Sequence, residues 1–266
     1  MAVIIEMVGA PGAGKTTLEG GIEDGCRDAE LVPYTIESAA RPFAARTALG
    51  GVVQRVTPRR FERRALWAVY RVASAWHTLR MAARLPRLAR YVLSTQWRRP
   101  SEADTRGRRV VYWYLRLMGS YGFLRANERP GEAIVIDEGF VHRAVQLHSS
   151  TVEAPTPAQV TAYLAHVPRP DLIVHVDSSL TTCRRRVQER GVWPRLSHRS
   201  PLEVEQFLDH AHQTVTLVRG ELEDLGWPVV DVDNDGPDPA AAAAALRRDL
   251  AARLAGSHGV PRGRSR

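Results

Sequence analysis

The segment Gly9-Ala10-Pro11-Gly12-Ala13-Gly14-Lys15-Thr16 constrains this chain more than any other. A short apolar run, Val3–Val8, precedes it, and a helix is expected over Lys15–Arg27. Glycines let the backbone curl until successive N–H groups point inward, and the following helix adds its positive end, so such a loop cradles an anion. The eight residues match the pattern G-x-x-x-x-G-K-[ST], which puts Lys15 on the β- and γ-phosphates and the Thr16 hydroxyl on Mg²⁺. Composition singles out the same position. Of 37 basic residues Lys15 is the one lysine and 36 are arginine. Arginine replaces lysine at little cost on a solvated surface, but not where a compact ammonium must fit.

With 266 residues and 44% hydrophobic content, the chain is ample for a buried core, which excludes a disordered or fibrous protein. Cys26 and Cys183 stand in unrelated contexts, so a disulfide scaffold is excluded and metal-site spacing is absent. The N-terminus lacks a basic segment and a cleavage site, and no stretch approaches 18 uncharged apolar residues. A cytoplasmic protein without a membrane span is expected. The net charge of +8 invites a polyanion such as nucleic acid. Near-total replacement of lysine by arginine, with abundant alanine, reads instead as a coding bias, and nucleic acid is not the favoured partner.

Further along, the spacing predicts a strand over Leu31–Ile36 that ends at Glu37-Ser38. From about Arg59 to Trp97 the chain is arginine-rich and aromatic, with Pro86 as its one proline. Leu66, Val69, Ala73 and Trp76 recur at helical spacing, as do Trp67, Tyr70, Ser74, His77 and Met81; two such stripes predict burial on more than one side. A further helix is predicted over roughly Arg108–Glu128. Strands are predicted at Ala133–Ile136, Asp171–Val176 and Trp227–Val232. Thr156-Pro157 and Ser200-Pro201 are helix starts, Thr181–Arg190 and Pro239–Leu254 are helices, and 256–266 is a flexible basic tail. Strands alternating with helices define an α/β fold: three layers around a central parallel five-stranded sheet. Ligands in such sheets sit at the carboxyl ends of the strands, where Gly9, Glu37, Asp137, Asp177 and Asp233 all fall.

Ile134-Val135-Ile136-Asp137-Glu138 is an apolar strand closing on two acids. Asp137 is a candidate for the Mg²⁺ shell, and Glu138 for activating water or orienting an acceptor hydroxyl. Glu37 is the competing acceptor-side carboxylate. Arg184-Arg185-Arg186, Arg190, Arg195 and Arg199 surround Gly191-Val192-Trp193-Pro194, and a lid at about 186–200 carrying Arg186, Arg190 and Arg195 over the phosphates is expected.

These pieces, GAPGAGKTT, IVIDEG, PDLIVHVD, the helix ending RRRVQERG, and VVDVDND, resemble the nucleotide-kinase branch of P-loop proteins, thymidylate kinases in particular. The resemblance covers most of the chain outside roughly 42–107. It implies a P-loop NTPase fold with ATP and Mg²⁺, phosphate binding by Gly12, Ala13, Gly14, Lys15, Thr16 and Thr17, lid roles for the three arginines, and Asp233 and Asp235 near the base. Where thymidylate kinases carry an Asp-Arg pair this chain has Asp137-Glu138-Gly139, and where they carry Arg-Glu-Pro it has Ile36-Glu37-Ser38. The acceptor side is therefore divergent. One P-loop kinase-like domain is expected over 1–255, with a large helical acceptor-side insertion at about 42–130. Its aromatic residues are read as an acceptor pocket, as core and a homodimer face, or, more weakly, as a helix lying on anionic lipid. The function expected is transfer of phosphate from ATP to a small nucleotide, nucleoside-like or sugar-containing acceptor. The alternative is a P-loop ATPase or nucleotide-gated switch acting on a protein or polyanion.

Overall fold

A computed structural model describes residues 1–97, 105–193, 196–197 and 199–257. The order of elements is β1 (Val3–Gly9), α1 (Lys15–Asp28), β2 (Val32–Thr35), α2 (Ile36–Ala45), α3 (Ala48–Val56), α4 (Arg59–Arg84), α5 (Pro86–Trp97), α6 (Thr105–Asn127), β3 (Glu132–Ile136), α7 (Arg143–His148), α8 (Pro157–Leu164), β4 (Leu172–Asp177), α9 (Leu180–Arg190), α10 (Pro201–Asp224), β5 (Val229–Asp233) and α11 (Pro239–Ser257). The tail expected at 256–266 lies outside the described residues from 258 onward.

The sheet order is β2-β3-β1-β4-β5 and every pairing is parallel. Alternation along the strands feeds two separate cores. Ile4, Val8, Ile134, Ile136 and Ile173 pack on one face, whereas Ile5, Met7, Val135, Val174 and Val176 pack on the other. The expected three-layer α/β architecture is therefore observed. From β1 the chain crosses toward β2, and from β4 toward β5, so the loops at adjacent strand ends diverge and open a crevice.

Two boundaries differ from expectation, for local reasons. The second strand stops at Thr35 because Thr35 and Ser38 form a reciprocal cap: Ser38 N–H donates to Thr35 Oγ1 (3.1 Å) and Thr35 N–H to Ser38 Oγ (2.8 Å). Glu37 thus sits in the first turn of α2 instead of at a strand end. The long aromatic helix breaks at Leu85, because Pro86 has no N–H to donate and begins α5.

Helices α2 to α6 run between β2 and β3. Within them α4 buries one face, through Leu66, Val69, Tyr70 and Met81, and Tyr70 donates to Ser120 Oγ of α6 at 2.8 Å. Burial on more than one side of α4 is not found: Trp67 and Trp76 are exposed. The caps read from sequence at Thr156 and Ser200 form, completed by Gln159 and Glu203.

Candidate active site

The loop after β1 turns into α1 through Gly14, whose φ of 89° is left-handed and whose position leaves no room for a side chain. A Cβ there would lie 2.2 Å from Asn234 Nδ2. That amide donates to the Ala13 carbonyl at 2.7 Å, and the same oxygen accepts from Ser178 Oγ (3.2 Å) and Arg186 Nη1 (3.3 Å). Three donors from the ends of β4 and β5 and from α9 therefore fix the loop from beneath. Lys15 folds back over it, donating from Nζ to the carbonyls of Gly9 (2.8 Å) and Ala10 (3.3 Å). Burial lowers the Lys15 pKa to about 8, against the opposing pull of Glu138 and Asp137.

The loop forms one wall of a cleft of about 540 Å³. Gly12, Gly14, Lys15, Thr16 and Thr17 line that wall; Asp137, Glu138, His142 and Gln146 line a second; Arg186, Glu189, Arg190 and Trp193 line a third. The second wall begins where β3 ends. Asp137 Oδ1 accepts from the Glu138 N–H at 2.9 Å. Glu138 Oε2 meets Arg143 Nη1 and Gln146 Nε2, each at 3.2 Å, so α7 orients the Glu138 carboxylate. The Arg143 guanidinium is itself mostly buried, and burial pushes its pKa down.

Beneath this wall lies Glu6, in the middle of β1 and fully buried. Its Oε2 accepts from Val141 N–H at 2.9 Å. Burial raises the Glu6 pKa to about 7, countered by the Val141 and Phe140 backbone groups and by the charge of Arg143. Gly139 is the residue that permits this: a Cβ on it would fall 2.3 Å from Glu6 Cδ. The turn carrying Asp137 and Glu138 thus rests on a buried carboxyl.

The cleft brings together most residues singled out from sequence, but not all. Lys15, Thr16, Thr17, Asp137, Glu138, Arg186 and Arg190 line it. Arg186 is braced, with Nη2 donating to the Asn234 carbonyl at 2.8 Å. Arg190 lies over the Trp193 ring at 5.2 Å. Arg195 lies outside the described residues. Asp233 and Asp235 are not lining residues: Asp235 Oδ1 accepts from Ser179 N–H (3.0 Å) and Oγ (2.9 Å), and Asp233 Oδ1 accepts from Asp235 N–H (2.9 Å). Glu37 is exposed on α2 and does not line the cleft, although its charge and that of Asp137 help raise the pKa of Glu19 after burial has done so. Sequence reasoning passed over Glu6, Arg143 and Gln146. The signal for Glu6 was legible as a single acid inside an otherwise apolar strand.

A parallel sheet in this order, with a glycine-rich loop running from its central strand into the first helix, defines the fold of P-loop NTPases. No protein-family model matches the chain, and no curated protein matches it. Among solved structures it is similar to deoxyadenosine kinase from M. mycoides with bound dATP, with a TM-score of 0.44 and 12% identity over 93% of this chain and 99% of that one. It is also similar to that kinase with dCMP and a flexible dCDP (TM-score 0.41, 11% identity, 94% and 100% covered) and with dCTP (TM-score 0.42, 11% identity, 94% and 100% covered).

Proposed function

We propose that this protein is an ATP- and Mg²⁺-dependent phosphotransferase that phosphorylates a hydroxyl or phosphate of a small nucleoside-like, nucleotide or sugar-containing metabolite. The observation that carries the reading is the convergence of Lys15, Thr16, Asp137, Glu138, Arg186 and Arg190 on one cleft at the carboxyl end of the sheet. In phosphoryl transfer the protein supplies positioning and charge stabilisation, and these side chains are of the kinds required. Lys15 exchanges its two loop carbonyls for phosphate oxygens, whose negative charge favours the ammonium that burial disfavours. Arg186 and Arg190 carry charge on the opposite wall, and closure of the segment after α9 over the phosphates would exclude water.

The metal ligands we propose are the Thr16 hydroxyl and the Asp137 carboxylate. Both are oxygen donors lining one cleft, which suits Mg²⁺ with its remaining positions filled by water and phosphate. Bound there, the ion would neutralise charge on the transferring phosphoryl group. Glu138, held by Arg143 and Gln146, is the better placed of the two candidate carboxylates to orient the acceptor and take its proton, because Glu37 does not line the cleft.

The adjacent Asp137-Glu138 pair also suits an ATPase in which Glu138 polarises water, so turnover decides. ATP consumption is measured alone and with deoxynucleosides, nucleoside monophosphates and sugars. Acceleration by one acceptor, with a stoichiometric phosphorylated product, is expected. Hydrolysis that no acceptor speeds, but that DNA, RNA or a protein does, would overturn the kinase reading.

A further inference from the structure

Coding bias explains why the basic residues are arginine, but not where the acids are missing. Residues 48–127 contain 17 arginines and three carboxylates, a net charge of +14. The remaining 186 residues contain 20 basic and 26 acidic side chains, a net charge of −6. The chain is therefore an acidic nucleotide-binding body carrying a strongly basic helical insertion. A bias in codon usage acts on the whole chain and does not produce such a division.

The outer face of α4 combines this charge with exposed apolar surface. Phe61, Val72, Trp76 and Leu79 stand out from it, with Val72 68%, Trp76 64% and Leu79 67% exposed. At 100° per residue these four fall within a sector of roughly 60°, and the exposed Ala68, Ala75 and Ala83 widen it to about 100°. Arg60, Arg64 and Arg71 flank the stripe on one side, and Arg80 and Arg84 on the other. Among the described residues none of these five arginines is in a salt bridge. The helix runs for 26 residues, roughly 40 Å at 1.5 Å per residue. Beside it, α6 adds the exposed Tyr112 and Leu115, and Arg116 lies 5.3 Å from the Trp113 ring.

We propose that this α4–α6 face docks the protein on an anionic lipid bilayer, with α4 lying in the plane of the interface. An apolar stripe bordered by arginines on both sides is the pattern of interfacial helices: the stripe enters the headgroup–acyl boundary while the guanidinium groups reach lipid phosphates. Charge complementarity selects this occupant. In a two-fold dimer the same face would meet itself, setting a +14 insertion against its copy. Nucleic acid would neutralise the arginines but leave Val72, Trp76 and Leu79 without an apolar partner. No helix among the described residues is long and apolar enough to cross a membrane, so the bilayer contact is peripheral. This inference is independent of the catalytic reading.

The test is co-sedimentation of the full chain with phosphatidylcholine vesicles and with vesicles of phosphatidylcholine mixed with phosphatidylglycerol. Binding is expected to the mixed vesicles alone, weakening steeply as salt rises. Arg64→Glu/Arg71→Glu should weaken it by at least ~10-fold, since each basic side chain near the surface contributes about 1 kcal/mol. Trp76→Ser/Leu79→Ser should also weaken it while leaving the salt dependence in place. All four positions are exposed, and an unchanged melting temperature verifies folding of both variants. Lys15→Arg should bind vesicles as the parent does, so a failed kinase assignment leaves this result untouched. Equal binding to neutral vesicles overturns the proposal. So does absence of binding to the mixed vesicles, whether the protein dimerises in sedimentation or binds duplex DNA instead.

Discussion

Glu6→Gln separates a charge effect from a packing effect at the most buried carboxyl beneath the cleft. A carboxyl held at about 7 when folded, against an ordinary value of 4.5, binds its proton more tightly in the native state. Stability from this group is complete below pH 4.5, is lost as pH rises through about 7, and stays constant above. At 1.36 kcal/mol per pH unit the loss is about 3 kcal/mol. Glutamine carries no such titration. Its amide oxygen can still accept from Val141 N–H, while its NH₂ replaces Oε1, an atom with no hydrogen-bond partner among the described residues. An unsatisfied buried amide costs about 1–3 kcal/mol, but equally at every pH. The variant should therefore be the less stable protein at pH 5 and gain about 2–3 kcal/mol relative to the parent between pH 5 and pH 8, part of the titration already lying below pH 5. Urea denaturation of both proteins at pH 5, 6, 7 and 8 reads this difference directly, and other titrating groups cancel in the comparison. A stability difference that stays flat across that range would refute the assignment of a neutral, burial-shifted Glu6.

Lys15→Arg should reduce ATP turnover to background although charge is retained, because the planar guanidinium cannot occupy the space where Nζ meets the Gly9 and Ala10 carbonyls; a near-normal rate in a steady-state assay would contradict the role. Gly139→Ala should destabilise the fold by about 1–3 kcal/mol, since its Cβ would overlap the Glu6 carboxyl, and the double variant Glu6→Ala/Gly139→Ala should cost less than the sum of the two singles in thermal melts.

What was legible in the sequence is what local spacing encodes. The strand–loop–helix around Lys15 depends on residues within a dozen positions of one another. The caps at Thr156 and Ser200 depend on a partner three residues away. Thr35 obeys the same rule, yet its partner is a serine in place of the usual glutamate or glutamine, so Ile36, the first residue of the helix it starts, reads from spacing as the last of a strand. Long-range partners were not legible. Arg186 belongs to an arginine cluster that reads as a mobile lid, and only the folded chain brings it to the carbonyl of Ala13, 173 residues earlier. Glu6 reads as an interruption of an apolar strand because its backbone donor is 135 residues away.

The aromatic helix shows a different limit. Periodicity reveals that α4 has apolar positions at helical spacing, but not whether protein covers them. Buried Leu66 and Val69 and exposed Trp76 belong to one and the same stripe in the sequence. Their fates diverge because α2, α3 and α6 pack on α4, with Tyr70 bonded to Ser120 of α6, while the face bearing Trp76 stays exposed. A chain-wide charge count has the same weakness, since +14 and −6 merge into an unremarkable +8. Fold and charge together locate the basic excess on helices that leave apolar side chains in water. A monomer gains nothing in stability from such a surface, because each exposed apolar group is a burial not made. That cost gives the α4 face physical sense when a second phase, rather than the protein's own core, takes up the stripe.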